Sequence, residues 1–88
     1  SMRFHISSVH RAENCGIHLE SRTDGVNSVA NWAERCKEVG VEFIAGGRLN
    51  SSHLLFMFVE TDAVSKLQEL MRPMQGRNEV VITPVTAI

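Results

Sequence analysis

A run of six consecutive apolar residues, Leu54–Val59, dominates the hydrophobic pattern of this chain. The polar sequence Glu60-Thr61-Asp62 closes the run. A strand with one solvated face alternates apolar and polar residues, whereas a short run that is apolar at every position is typical of a strand buried on both faces. The pattern therefore predicts that Leu54–Glu60 is the central strand of a sheet.

The segment near the amino terminus, Arg3–Val9, alternates in the way a strand does. Successive side chains of a strand point to opposite faces, so Phe4 and Ile6 share one face. His5 and Ser7 share the other face. We expect the apolar pair to face the helices and the polar pair to face away from them.

A hairpin leads into the central strand. The segment Val41–Ala45 predicts a strand with Val41, Phe43 and Ala45 on one face. The segment Gly46–Ser52 is rich in turn-forming residues, and it predicts the connection to Leu54.

Two helices are predicted on either side of this hairpin. The first runs over about Ser28–Val39, where Val29, Trp32, Ala33, Cys36 and Val39 form one apolar stripe and Gly40 ends the helix. We expect Trp32 and Cys36 to be packing residues.

The second helix follows Thr61 or Asp62, either of which can cap it, and Pro73 cannot continue it. Its apolar stripe comprises Val64, Leu67, Leu70 and Met71. After Gly76, the segment Glu79–Thr86 is rich in β-branched residues and predicts a last strand, placed at an edge because Pro84 lacks a donor.

The order of these elements is β-α-β-β-α-β, which predicts an α+β, ferredoxin-like fold. Right-handed crossovers place the first and third strands in the middle of a four-stranded antiparallel sheet, with two helices on one face. The other face is then uncovered although the central strand is apolar on both sides, and such a face usually marks an interface. We therefore expect a homodimer through the helix-free face, a dimeric α/β barrel.

Composition restricts the function. The 88 residues form a single domain, 1–88, in which Met2 is interpreted as the native start and Ser1 as a remnant of tag removal. The net charge of −1 gives no reason to expect nucleic acid or an anionic membrane as partner. There is no apolar run near 18 residues and no signal-peptide pattern, and the two cysteines form no Cys-x-x-Cys motif, so we expect a cytoplasmic protein with free thiols.

Three segments carry a family resemblance: RFHISSVHRAENC at the start, LLFMFVETD in the centre and EVVITPV at the end. Together they resemble a group of small bacterial proteins of unknown function, which are similar to the dimeric α/β-barrel superfamily of ferredoxin-like folds. The most specific part is the exit of strand one, with His10, Glu13, Asn14 and Cys15. The resemblance implies the fold and a dimer, and it implies no activity, because such folds carry many functions.

One candidate site lies at a rim of the predicted sheet. The end of strand one and the start of strand three meet there, so His10, Cys15 and His53 come close together, with Arg48 and Glu79 at the ends of neighbouring strands. Imidazole and thiolate groups bind zinc or copper, and they also serve as bases and nucleophiles. Alternatively, these histidines are surface residues that form ordinary hydrogen bonds.

The second candidate site is the polar pair on strand one. If His5 and Ser7 face a lumen between two sheets, they can orient a ligand or accept a proton. The alternative is that His5 is a packing residue, hydrogen-bonded to a cross-strand partner such as Thr83.

These sites support several functions. The first is a module that binds a small apolar or aromatic molecule between two sheets, against His5, Ser7 and Thr83. The second is a cofactor-independent monooxygenase or isomerase that uses His5 or His10 as a base. A His/Cys metal-binding protein and a purely structural dimer are further alternatives, and no cofactor is identified. RNA binding is disfavoured, because the strand Phe56–Val59 lacks a basic, glycine-containing lead-in.

Overall fold

The computed structural model describes residues 2–10, 31–76 and 78–88, and it contains one four-stranded antiparallel sheet with two helices. The strand order is β2-β3-β1-β4, so β1 and β3 are the inner strands. The architecture is α+β and compatible with a ferredoxin-like fold. The elements in chain order are β1 (Met2–His10), α1 (Trp32–Val39), β2 (Glu42–Leu49), β3 (Leu54–Thr61), α2 (Val64–Met71) and β4 (Asn78–Val85).

The hydrophobic core lies between one face of the sheet and the two helices. Phe4 and Ile6 of β1 are buried there, as the alternation of that strand predicts. Met57, which is 1% exposed, and Val59 extend this core from β3. The helices contribute Cys36, Leu67, Leu70 and Met71, and Met74 follows the second helix. Neither α1 nor α2 therefore lies on the other face of the sheet.

Helix α1 begins four residues later than the sequence pattern predicts. Asn31 is extended, and its side-chain oxygen accepts a hydrogen bond from the backbone N–H of Glu34, so Asn31 is the N-cap. The predicted earlier turn, Ser28–Ala30, lies outside the described residues. The predicted end at Gly40 is confirmed, because Gly40 adopts φ 81° and donates to carbonyls of the last turn. Trp32 is only partly buried, although it does pack against the core.

Two predictions about α2 are wrong. Ala63 is the N-cap, without a side-chain hydrogen bond, whereas the Thr61 hydroxyl accepts from the N–H of Ala63 in a turn before the helix. Val64 is 59% exposed, because the first turn of α2 precedes the part of the helix that reaches the core. Pro73 does end the helix, in the short 3-10 turn Arg72–Met74.

Strand β2 differs most from the prediction. It continues to Leu49, through the glycines assigned to a turn, and the turn itself is Asn50–Ser52. A bulge between Phe43 and Ala45 adds one residue to the strand. Ala45 is therefore paired with Phe58 on the side of the sheet away from α1 and α2, and it does not share a face with Phe43 as predicted.

Candidate functional site

The side of the sheet away from α1 and α2, here called the open face, is organised in rows that run across all four strands. Opposed residues of antiparallel strands point to the same side, so the pairing register defines each row. In the order β2, β3, β1, β4 the rows are Glu42, Glu60, Arg3, Val85; then Ala45, Phe58, His5, Thr83; then Gly47, Phe56, Ser7, Val81; and finally Leu49, Leu54, Val9, Glu79.

His5, Ser7 and Thr83 lie together in the middle of the open face. His5 is directly opposite Thr83 on β4, and Ser7 is two residues further along β1. His5 and Ser7 are each partly exposed. No described hydrogen bond joins the side chains of His5 and Thr83. The two residues are cross-strand neighbours, but the hydrogen bond of the alternative interpretation, in which His5 is a packing residue, does not form.

Aromatic rings flank this polar group. The ring centroid of His5 is 5.0 Å from that of Phe58, and it is 6.5 Å from that of Phe56, with which it is stacked at 26°. Phe56 also lies over Gly47, because its Cζ is 3.3 Å from the place where a β-carbon of Gly47 would be. The rings form a continuous apolar surface beside the polar group, which is the composition expected of a small-molecule site.

Charged side chains lie at the two ends of the open face. Arg3 and Glu60 form an ion pair of 3.4 Å between Nη2 and Oε1 in the row that also contains Glu42. Glu79 occupies the opposite end. An exposed pair of this kind contributes at most about 1 kcal/mol, so its main effect is to surround the apolar centre with solvated groups.

The rim site brings His10 and His53 together, as the topology predicts. Their ring centroids are 5.1 Å apart in an edge-to-face arrangement, and the backbone N–H of His10 donates to the carbonyl of His53 at 3.2 Å. His53 adopts φ 53°, a conformation that is uncommon for residues other than glycine. Its Nδ1 is buried and has no hydrogen-bond partner among the described residues. Cys15, the proposed third ligand, lies outside the described residues.

Arg48 and Glu79 lie near the ends of the neighbouring strands β2 and β4, as predicted, but on opposite faces of the sheet. Glu79 is opposite Val9 on the open face. Arg48 is opposite Leu55 near the end of β2, and it lines a cavity on the helix side of the sheet. In the part of the chain that the structure describes, no three histidine, cysteine, aspartate or glutamate side chains are grouped as metal ligands.

Cys36 is a packing residue, as predicted. Its thiol is 1% exposed, free of disulfide bonds and part of the core. Burial raises the pKa of this thiol from 9.0 to about 11, and the nearby Arg35 guanidinium only partly opposes the increase. A thiol of this kind is a poor nucleophile near neutral pH.

Sequence reasoning missed a cavity of about 310 Å³ between the start of α1 and the strands β2 and β3. Trp32, Phe43 and Leu55 contribute apolar walls, and the adjacent glycines at 46 and 47 also line the cavity. The sequence feature that could have indicated this cavity is the pair of consecutive glycines, because glycine inside a strand often marks a bulge or a place where another group approaches the backbone.

The sequence matches no model of a known protein family and no curated protein. Among the described residues, no helix is long and apolar enough to cross a membrane.

Proposed function

We propose that the chain forms a homodimer by packing two open faces together and that it binds a small aromatic molecule between them. The observation that carries this proposal is the composition of the open face. Its apolar residues are highly exposed for their type, with Val81 at 53%, Leu49 at 49% and Val9 at 40%. Because isolated chains rarely leave such a surface in water, a partner surface of similar apolar character is expected.

The size of the open face is sufficient for a weak to moderate dimer. Strands spaced by about 4.8 Å and rows spaced by about 6.8 Å give each protomer a face of about 500 Å². Two such faces bury about 1,000 Å² or somewhat more, since side chains add relief, and specific dimers start at about 1,200 Å². We therefore expect dissociation at low protein concentration, and we expect bound ligand to strengthen the dimer.

The polar group would become enclosed when two faces meet. A buried hydroxyl or imidazole without a partner costs about 1–3 kcal/mol, so His5, Ser7 and Thr83 need hydrogen-bonding partners there. A planar ligand with a polar substituent would satisfy them while its ring contacts Phe56 and Phe58. This arrangement favours a quinone-like or phenolic molecule over a purely aliphatic one.

An enzyme remains the alternative proposal, with His5 as a base that removes a proton from the enclosed ligand. An imidazole accepts or donates a proton near neutral pH, which suits a cofactor-independent monooxygenase or isomerase. His10 is the second candidate base, although it lies at the rim. Turnover of a bound quinol, lost in His5→Phe, would favour the enzyme over the binding module. The free thiol of Cys36 supports the proposal of a reducing, cytoplasmic setting.

Thermal stabilisation by a panel of hydroxylated naphthalenes and naphthoquinones tests the ligand site. We expect a saturable rise of Tm for the wild type and a loss of that rise in His5→Phe and Ser7→Ala, which remove polar groups without adding charge. Ser65→Ala, at an exposed position on α2, is the matched control and should respond as the wild type does. Equal responses of all four proteins would contradict the proposed site.

A further inference from the structure

The open face is uneven across its two inner strands. Strand β3 presents the rings of Phe56 and Phe58, here called the aromatic ridge, and β1 presents the smaller side chains of His5 and Ser7 beside them. The ring of Phe56 leans away from Ser7, because its Cζ lies 3.3 Å from the place of a β-carbon on Gly47, on the other side of β3. The surface over His5 and Ser7 is therefore a groove that runs beside the ridge.

We propose that two copies of the chain pack with their two-fold axis parallel to the strands, so that the ridge of each protomer enters the groove of its partner. An axis in this direction, placed between β3 and β1, lays β3 of one copy on β1 of the other and keeps the rows in line. Phe56 then faces the partner's Ser7, and Phe58 faces the partner's His5. This arrangement rests on the proposed function, because it requires that two open faces meet.

The alternative two-fold axis for aligned sheets runs across the strands. It would lay β3 on β3 of the partner and reverse the order of the rows, so that Phe56 would meet the partner's Phe58. Ridge against ridge would hold the two sheets apart, and the space between the two grooves would stay unfilled. Because the centre of a specific interface is packed as densely as a protein interior, the axis parallel to the strands is favoured.

The charges at one end of the open face support the same axis independently. Arg3 and Glu60 share a row, on β1 and β3, and they form an ion pair of 3.4 Å within one protomer. With the axis parallel to the strands, Arg3 also faces the partner's Glu60 and the reverse, so that the charges of the two pairs alternate in sign. The axis across the strands would instead lay Arg3 on the partner's Val9. Opposite charges that meet across an interface select its register.

The partner contributes residues to the ligand site in this arrangement. Each of the two equivalent sites contains His5 and Ser7 from one protomer and faces Phe56 and Phe58 of the other. A ligand held by the polar groups of one chain would therefore contact the aromatic rings of the partner.

Mixing two variants tests the arrangement. Ser7→Phe fills the groove and Phe56→Ser removes half of the ridge, so each change should weaken its own homodimer by at least about tenfold. In a mixture of the two chains, the introduced phenylalanine faces the introduced serine, and the native Phe56 faces the native Ser7. We therefore expect the heterodimer to exceed the proportion that random pairing gives, as measured by native mass spectrometry. Ser65→Phe, at an exposed position on α2, is the matched control and should pair randomly with Phe56→Ser.

The charge variants Arg3→Glu and Glu60→Arg repeat the test with little change in packing, and they decide it if circular dichroism shows that Ser7→Phe does not fold. These two chains should also prefer the heterodimer, because each homodimer brings like charges together. A dimeric wild type combined with random pairing of the variants overturns the arrangement and leaves the proposed dimer intact. A wild type with the mass of one chain overturns the arrangement and the proposed function together.

Discussion

Replacing Gly46 by alanine should destabilise the protein through the backbone of the neighbouring strand. A β-carbon at this position would lie 2.6 Å from the carbonyl oxygen of Phe56 and 2.9 Å from Cβ of Met57. Neither atom is the end of a flexible side chain, so β2 and β3 would have to separate locally. Crowding of this kind costs about 1–3 kcal/mol, against about 0.4–1 kcal/mol gained because alanine restricts the unfolded chain.

Urea unfolding at fixed protein concentration measures the effect. We expect the free energy of unfolding to fall by about 1–2 kcal/mol, which corresponds to a decrease in Tm of roughly 4–16 °C for a chain of this size. Gly47→Ala is the matched control, because its β-carbon would meet only the ring of Phe56, with Cζ at 3.3 Å and Cε1 at 3.5 Å, and that ring can move. Its free energy should change by less than about 0.5 kcal/mol. A Gly46→Ala protein as stable as the wild type, or a Gly47→Ala protein that is less stable than Gly46→Ala, would refute the described register.

Two further predictions concern the thiol and the rim. In a Cys15→Ser background, alkylation of Cys36 at pH 8 should be at least about 100-fold slower in the folded than in the unfolded protein, because a pKa of about 11 in place of 9.0 lowers the thiolate fraction by that factor. The unfolded chain releases this proton at lower pH than the folded protein does, so the free energy of unfolding should also decrease as the pH rises from about 9 to 11. An alkylation rate equal to that of the unfolded chain would contradict the burial of Cys36. So would a contribution of Cys36 to the free energy of unfolding that increases with pH. Zinc should raise the Tm of the wild type but not of His53→Ala if His10 and His53 supply ligands, and an equal response of both proteins would exclude His53 as a ligand.

The sheet could be predicted from the sequence because its signals are strong and local. The unbroken apolar run of β3 predicts an inner strand, and the alternation of β1 predicts which of its own residues face the helices. The run is apolar at every position, so it left open which residues of β3 face the helices. Thr83 was named as an example of a cross-strand partner of His5, and the two residues are indeed opposite each other, although alternation and strand order alone do not determine the register. The proximity of His10 and His53 followed from the antiparallel pairing of β1 with β3.

The incorrect predictions concern places where the burial of residues does not follow the local hydrophobic pattern. The bulge near Phe43 reverses the faces of the following part of β2, and periodicity alone cannot locate such an insertion. Val64 has the spacing of a core residue, but it lies in the first turn of α2 and is exposed. The cavity beside Trp32 depends on how α1 sits over the glycines of β2, which is a tertiary feature without a local signal in the helix.

The most direct test of the central proposal is the molar mass in solution, measured by light scattering on a sizing column at tens of micromolar protein. The wild type should elute at twice the chain mass of 9.8 kDa. Phe58→Glu should elute as a folded monomer, because it places a charge in the middle of the open face. Val64→Glu, which adds the same charge at an exposed position on α2, should remain a dimer. A wild type with the mass of one chain, or a Phe58→Glu protein that is as dimeric as Val64→Glu, would contradict assembly through the open face.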